Sequence, residues 1–154
     1  MNILEIASAA IWVDFLTIVL SKFFNFGTSL DFWYSEFGMV AVLSDCLVLI
    51  LGILIAQIFF PKYPLLLTAI AIQLIHDILF YLLVIVPVPV GHNRMIDVFK
   101  SYSTENSWKI LAYDSAMIGS TVLIAGELSK LKPVVSSFIG LLGLYAISYI
   151  IYTR

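Results

Sequence analysis

The sequence predicts an all-α fold, a polytopic membrane helix bundle of about five transmembrane helices plus a short interfacial helix. Three observations predict it. First, 62% of the 154 residues are hydrophobic and only 12% are charged, against about 25% charged in an average soluble domain. The mean hydropathy is +1.06, more apolar surface than a soluble core of this size can absorb. Second, the run from Pro64 to Val88, PLLLTAIAIQLIHDILFYLLVIVPV, has one formally charged side chain, Asp77. At ~1.5 Å per residue it can cross a hydrocarbon core of about 30 Å. Third, that run holds Gln73, His76 and Asp77 at i, i+3 and i+4. They share one helical face, which Phe80 extends. Ionisable groups in a span are costly and turn toward protein or a water-filled cavity.

The whole chain reads as a single transmembrane domain. The first span is Ile3 to Leu20, with Asp14, Thr17 and Ser21 as a polar stripe. It has no basic leader region, and Glu5 and Asp14 interrupt it, so a cleaved signal peptide is not expected. Ser21 to Phe37 reads as a connector whose aromatics, among them Phe26, Trp33 and Tyr34, favour the membrane surface. The second span is Gly38 to Phe60. Its Ala41, Asp45, Gly52 and Ala56 share a face that lets another helix approach. Pro61-Lys62-Tyr63-Pro64 stops this helix and starts the third span, Pro64 to Val88, as an antiparallel hairpin.

Pro87, Pro89 and Gly91 then end the membrane run. Met95, Ile96, Phe99 and Tyr102 recur at helical spacing, with Asp97, Lys100, Ser101 and Thr104 opposite, and Asn93 stands where a cap belongs. This predicts a short interfacial helix, with Phe99 and Tyr102 inward and Lys100 toward water. The fourth span, Trp108 to Leu128, carries Asp114 and a small-residue face of Ala112, Ala116 and Gly119. After a basic turn at Lys130 and Lys132, the fifth span is Val134 to Tyr152. Its Ser136, Gly140 and Gly143 form a groove, the candidate face for a homo-oligomer. Tyr145, Tyr149 and Tyr152 form an aromatic stripe suited to packing or interface anchoring.

Five spans put the termini on opposite sides, A for the N-terminal side and B for the other. Lys62, Lys130 and Lys132 fall on side A; Lys22, Arg94, Lys100, Lys109 and Arg154 fall on side B. The positive-inside rule leans toward a cytosolic side B. The net charge of −2 and the absence of a basic run exclude nucleic acid as a partner; the expected partner is the lipid bilayer. The single cysteine, Cys46, excludes an intrachain disulfide and CxxC redox chemistry.

Counting depth along each span brings Asp14, Asp45, Asp77 and Asp114 to one layer, roughly 9 to 15 Å below side B at ~1.5 Å per residue. His76 adds an imidazole at that level, and Asp14, on the first helix, is the member most free to sit at the periphery. No Lys or Arg stands in the central part of any span. Like charges in a low dielectric cannot all stay ionised. Some stay protonated, or a cation neutralises them, or Arg94, Lys109 or Lys22 reaches down from side B, with Arg94 best placed.

Three functions fit. The layer binds or conducts protons or cations through Asp14, Asp45, His76, Asp77 and Asp114, supported by Gln73, Arg94 and Lys109. Or the acids only hold helices together in a structural membrane or virion protein. Or His76 and Asp77 act as base and orienter, or as ligands of a metal cation, in a membrane-embedded lipid enzyme. The only cofactor the layer suggests is a metal cation, of no particular kind. The absence of HExxH, GxSxG, a TVGYG filter and an arginine ladder counts against enzyme and selective-channel readings.

The segments QLIHDILFY, GHNRMIDVFKSY and LAYDSAM, between Gln73 and Met117, resemble small uncharacterised multi-pass membrane proteins of large DNA viruses of algae and protists. The resemblance covers under a third of the chain. It implies a viral or host-cell membrane and no particular activity.

Overall fold

The hairpin expected at Pro61-Lys62-Tyr63-Pro64 is formed, between a helix that ends at Phe59 and one that starts at Leu65. The computed structural model describes residues 1–24 and 27–153. Phe26 of the connector and Arg154 of the basic count lie outside them. The described residues form seven α-helices and no strand: α1 Ile3–Phe24, α2 Thr28–Phe37, α3 Met39–Phe59, α4 Leu65–Phe80, α5 Arg94–Asn106, α6 Lys109–Leu128 and α7 Pro133–Ile150. A wider, π-type turn over Tyr81–Ile85 continues α4, with Val86 N–H donating to the Tyr81 carbonyl.

The outer faces are apolar. Leu51, Ile58, Leu67, Phe138 and Leu141 all stand exposed. A water-soluble bundle would turn such side chains inward; here lipid is the solvent. Four helical runs, α1, α3, α4 with its π turn, and α7, are long and apolar enough to cross a membrane. α6 is not among them, which departs from the five spans expected. The reason is chemical: its 20 residues include Lys109, Asp114 and Glu127. It nonetheless runs the length of the bundle. α7 lies parallel to α1, since Ser8 Oγ donates to the Ser136 carbonyl, Trp12 Nε1 to the Ile139 carbonyl and Lys22 Nζ to the Thr153 carbonyl. Ser136 Oγ donates to the Leu128 carbonyl, fixing the end of α6 beside the start of α7. α6 therefore returns from the end holding α5 to the end holding the N-terminus, and the described chain starts and finishes at opposite ends of the bundle.

Ser136, Gly140 and Gly143 are buried against α1 of the same chain. A Cβ on Gly140 would sit 2.3 Å from Ser8 Oγ, and one on Gly143 2.8 Å from Ile11 Cγ2. The groove expected to receive a second copy is thus filled from within. On α6, Gly119 packs toward Ile70 and Leu66 of α4, but Ala112 and Ala116 are exposed. Gly119 is thus the member of this face that packs on α4.

The connector is a helix, not a surface loop. α2 buries Leu30, Trp33 and Tyr34, and Gly27 and Gly38 bracket it with φ of +134° and +53°. Those left-handed angles favour glycine and let the chain turn from α2 into α3 within one residue. α5 forms as expected, with the Asn93 side chain accepting from the N–H groups of Met95 and Ile96. α2 and α5 run antiparallel across one end of the bundle, joined at both ends. Glu105 accepts from Thr28 N–H at 2.8 Å and Ser29 N–H at 2.9 Å, at the start of α2. Arg94 pairs with Glu36 at its other end.

These bonds, the Ser29 N–H foremost, lower the Glu105 carboxyl from 4.5 to about 2. A carboxylate depressed in the folded state adds stability that is complete above its unfolded pKa and fades as pH falls toward the folded one. The α2–α5 contact should therefore loosen between about pH 4.5 and 2. Tryptophan fluorescence should report this in the native protein, and Glu105→Gln should remove that step of the titration; an identical titration in both would disprove the clamp.

Candidate functional site: an acid-lined cavity

α3, α4 and α6, with α2 and α5 across one end, line a cavity of about 910 Å³. Asp45 of α3, Asp77 of α4 and Asp114 of α6 all line it, with Gln73 and His76. Three of the four carboxylates placed at one depth by counting thus share one space. Among the described residues, no Lys or Arg lines the cavity.

The α4 triplet forms as its spacing predicts. Gln73 Nε2 donates to Asp77 Oδ1 at 2.7 Å, and His76 Nδ1 lies 3.0 Å from the same oxygen. His76 stacks on Phe80, centroids 5.7 Å apart. The histidine sits at the rim, its side chain 44% exposed against 12% for Asp77. Gln73 is only 3% exposed, and its Oε1, like Asp77 Oδ2, has no hydrogen-bond partner among the described residues.

Asp14 behaves differently. It is fully buried, the reverse of the peripheral place open to it on the first helix. It stands behind Tyr34, whose hydroxyl lies 2.9 Å from Asp14 Oδ1 and 3.0 Å from Asp45 Oδ2. Trp33 Nε1 donates to Asp45 Oδ2 as well, at 3.1 Å. A phenol has one proton to donate. Burial first, then Asp45 and Asp14, push the Tyr34 hydroxyl up, so it keeps that proton. Holding both contacts at once needs a second proton, on one of the two carboxyls. Asp14, Tyr34 and Asp45 thus form a proton-sharing chain from the bundle interior to the cavity wall.

Tyr34 and Trp33 were missed as site residues because the connector was read as a surface segment. A signal for them was present: Leu30, Trp33, Tyr34 and Phe37 fall at i, i+3, i+4 and i+7, the stripe of a helix with one buried face.

Phe99 and Tyr102 face inward as expected. Phe99 lies 4.8 Å from the Trp33 ring and 5.8 Å from the Phe80 ring. Burial, then Asp114, raises the Tyr102 hydroxyl above its usual value. Lys100 is half-buried, 3.4 Å from the Val86 carbonyl, rather than directed to water. The expected cations do not arrive. Arg94 is held outside by Glu36, Lys109 is exposed, and Lys22 donates to the backbone carbonyl of Thr153. A long side chain at a helix start reaches whichever partner the next element offers, and α2 offers Glu36.

Among the described residues, no three His, Cys, Asp or Glu side chains are grouped to hold a metal ion. The carboxylates come from three helices and face one another across a wide space. For the His–Asp pair, no serine bonds His76 among the described residues. Of the four serines that line the cavity, Ser29, Ser44, Ser103 and Ser107, Ser44 and Ser103 spend their hydroxyls on the carbonyls of Val40 and Lys100. The Tyr145, Tyr149 and Tyr152 stripe points outward, away from the cavity.

Comparison with protein-family models, with curated proteins and with solved structures finds no match to this chain.

Proposed function

We propose that this membrane bundle binds a cation in its acid-lined cavity and passes it toward the end covered by α2 and α5. The observation that carries the reading is three carboxylates on one cavity with no Lys or Arg among its described lining residues. Uncompensated acids at this depth are costly, and a bound cation or proton is what remains to offset them once Arg94, Lys109 and Lys22 are engaged or exposed elsewhere. Asp45, Asp77 and Asp114 form the anionic wall, Gln73 and His76 orient Asp77, and Asp14 is a support reached through Tyr34. The purely structural reading is favoured by one observation, the bonded chain of Asp14, Tyr34, Asp45 and Trp33. It accounts for Asp45 and for one oxygen of Asp14, and it leaves Asp14 Oδ2 and Asp77 Oδ2 without a partner among the described residues.

The test is Asp77→Asn, which keeps shape and removes the carboxylate. In liposomes under an imposed gradient, wild type should show proton or metal-ion flux, or bound cation, and the variant at least a tenfold loss while remaining folded. Wild type without flux or binding, or a variant equal to it, would leave the structural reading in place.

A further inference from the structure

Resting on that reading, we propose that the cation is organic: a protonated amine carrying an aromatic or alkyl body, held by its ammonium at the acid wall and by its body against aromatic rings.

Size is the first argument. A cavity of about 910 Å³ lies in the range of roughly 300 to 1,000 Å³ that holds drug-sized ligands. A dehydrated inorganic ion would occupy a small corner of it, and the described residues offer that ion no triple of ligands. The wall is the second. Phe99 and Phe80, 5.8 Å apart, form an aromatic surface backed by the buried Trp33 at 4.8 Å from Phe99, and His76 extends it at 5.7 Å from Phe80. Ring faces attract an ammonium within about 6 Å, most strongly where water is excluded. The rim adds Ile78 and Leu82, both exposed and apolar, so an alkyl or aryl group can lie along it.

The third argument is independent of the acids as charges. Gln73 is 3% exposed, lines this cavity, and has its Oε1 unpartnered; Asp77 Oδ2 is unpartnered beside it. Buried acceptors without donors are rare and costly. Gln73 Oε1 lies toward Gly52 of α3 and neither oxygen opens onto the cavity, so a protonated amine supplies their missing N–H donors only once these side chains turn toward it.

The probe is a dansyl-tagged alkylamine, beside its N-acetylated analogue, which keeps the body and loses the charge. Both are titrated into the full chain in lipid nanodiscs. The expected result is saturable binding of the amine, at least tenfold weaker binding of the acetylated analogue, and at least a tenfold loss in Asp114→Asn. No hydrogen bond to a described residue holds Asp114, so this variant should stay folded; the acetylated arm needs no variant at all. Equal binding of the two probes would overturn the ammonium, and a neutral amphiphile would fit instead. Binding untouched by Asp114→Asn, or no saturable binding, would overturn the site. If the amine fails while Asp77-dependent flux of protons or metal ions is present, this inference falls and the cation-binding function stands. If both fail, both fall.

Discussion

Tyr34→Phe should be among the most damaging single-atom changes in the chain. The hydroxyl is the partner of both Asp14 Oδ1 and Asp45 Oδ2, at 2.9 and 3.0 Å. Without it Asp45 keeps Trp33, but fully buried Asp14 keeps no side-chain partner. An orphaned buried polar group costs roughly 1–3 kcal/mol, and breaking a buried charged contact roughly 3–5 kcal/mol. A loss of about 2–4 kcal/mol is therefore expected, read as a lowered unfolding midpoint in detergent. Asp14→Asn should cost less in the Tyr34→Phe background than in wild type, because neighbours in one network do not add. A Tyr34→Phe protein as stable as wild type would show that the bridge is incidental.

Gly140→Val should be comparably severe, for a steric reason. A Cβ there would lie 2.3 Å from Ser8 Oγ and 3.2 Å from Ser8 Cα. The side chain of Ser8 can turn away, but its backbone cannot, and turning breaks the bond from Ser8 Oγ to the Ser136 carbonyl. In a bilayer, helices associate largely through such close packing, since lipid is as apolar as the side chains. Overpacking costs typically 1–3 kcal/mol, and the lost bond adds about 1 kcal/mol. Gly126 is the internal control, because a Cβ there meets nothing within 4 Å. Gly126→Ala should be neutral or stabilising, by up to roughly 1 kcal/mol, from reduced backbone entropy. Equal effects at the two glycines would contradict the α1–α7 packing.

The sequence by itself determined the helices that lipid chemistry governs. Apolar length marked α1, α3, α4 and α7, and prolines marked the hairpin between α3 and α4, because these are local properties of the chain. The period of Met95, Ile96, Phe99 and Tyr102, with Asn93 before them, determined α5 for the same reason. Depth counting brought Asp45, Asp77 and Asp114 to one level, since rise per residue is fixed in a helix.

Tertiary structure decided everything that depends on what faces what. Whether Ser136, Gly140 and Gly143 take a second copy or a neighbour turned on α1, 128 positions before Ser136 in the sequence. Where Arg94 goes was settled by Glu36, 58 positions away. That Ala112 and Ala116 stand exposed, while Asp77 of α4 and Asp114 of α6 line a cavity, is a matter of helix packing that small-residue spacing does not encode. Tyr34 reaches Asp14 because Gly38 folds α2 back beside α1 and α3. A carboxylate's depth is written in its own helix, but its hydrogen-bond partner is supplied by another, and only the packing of the two brings the proton between them.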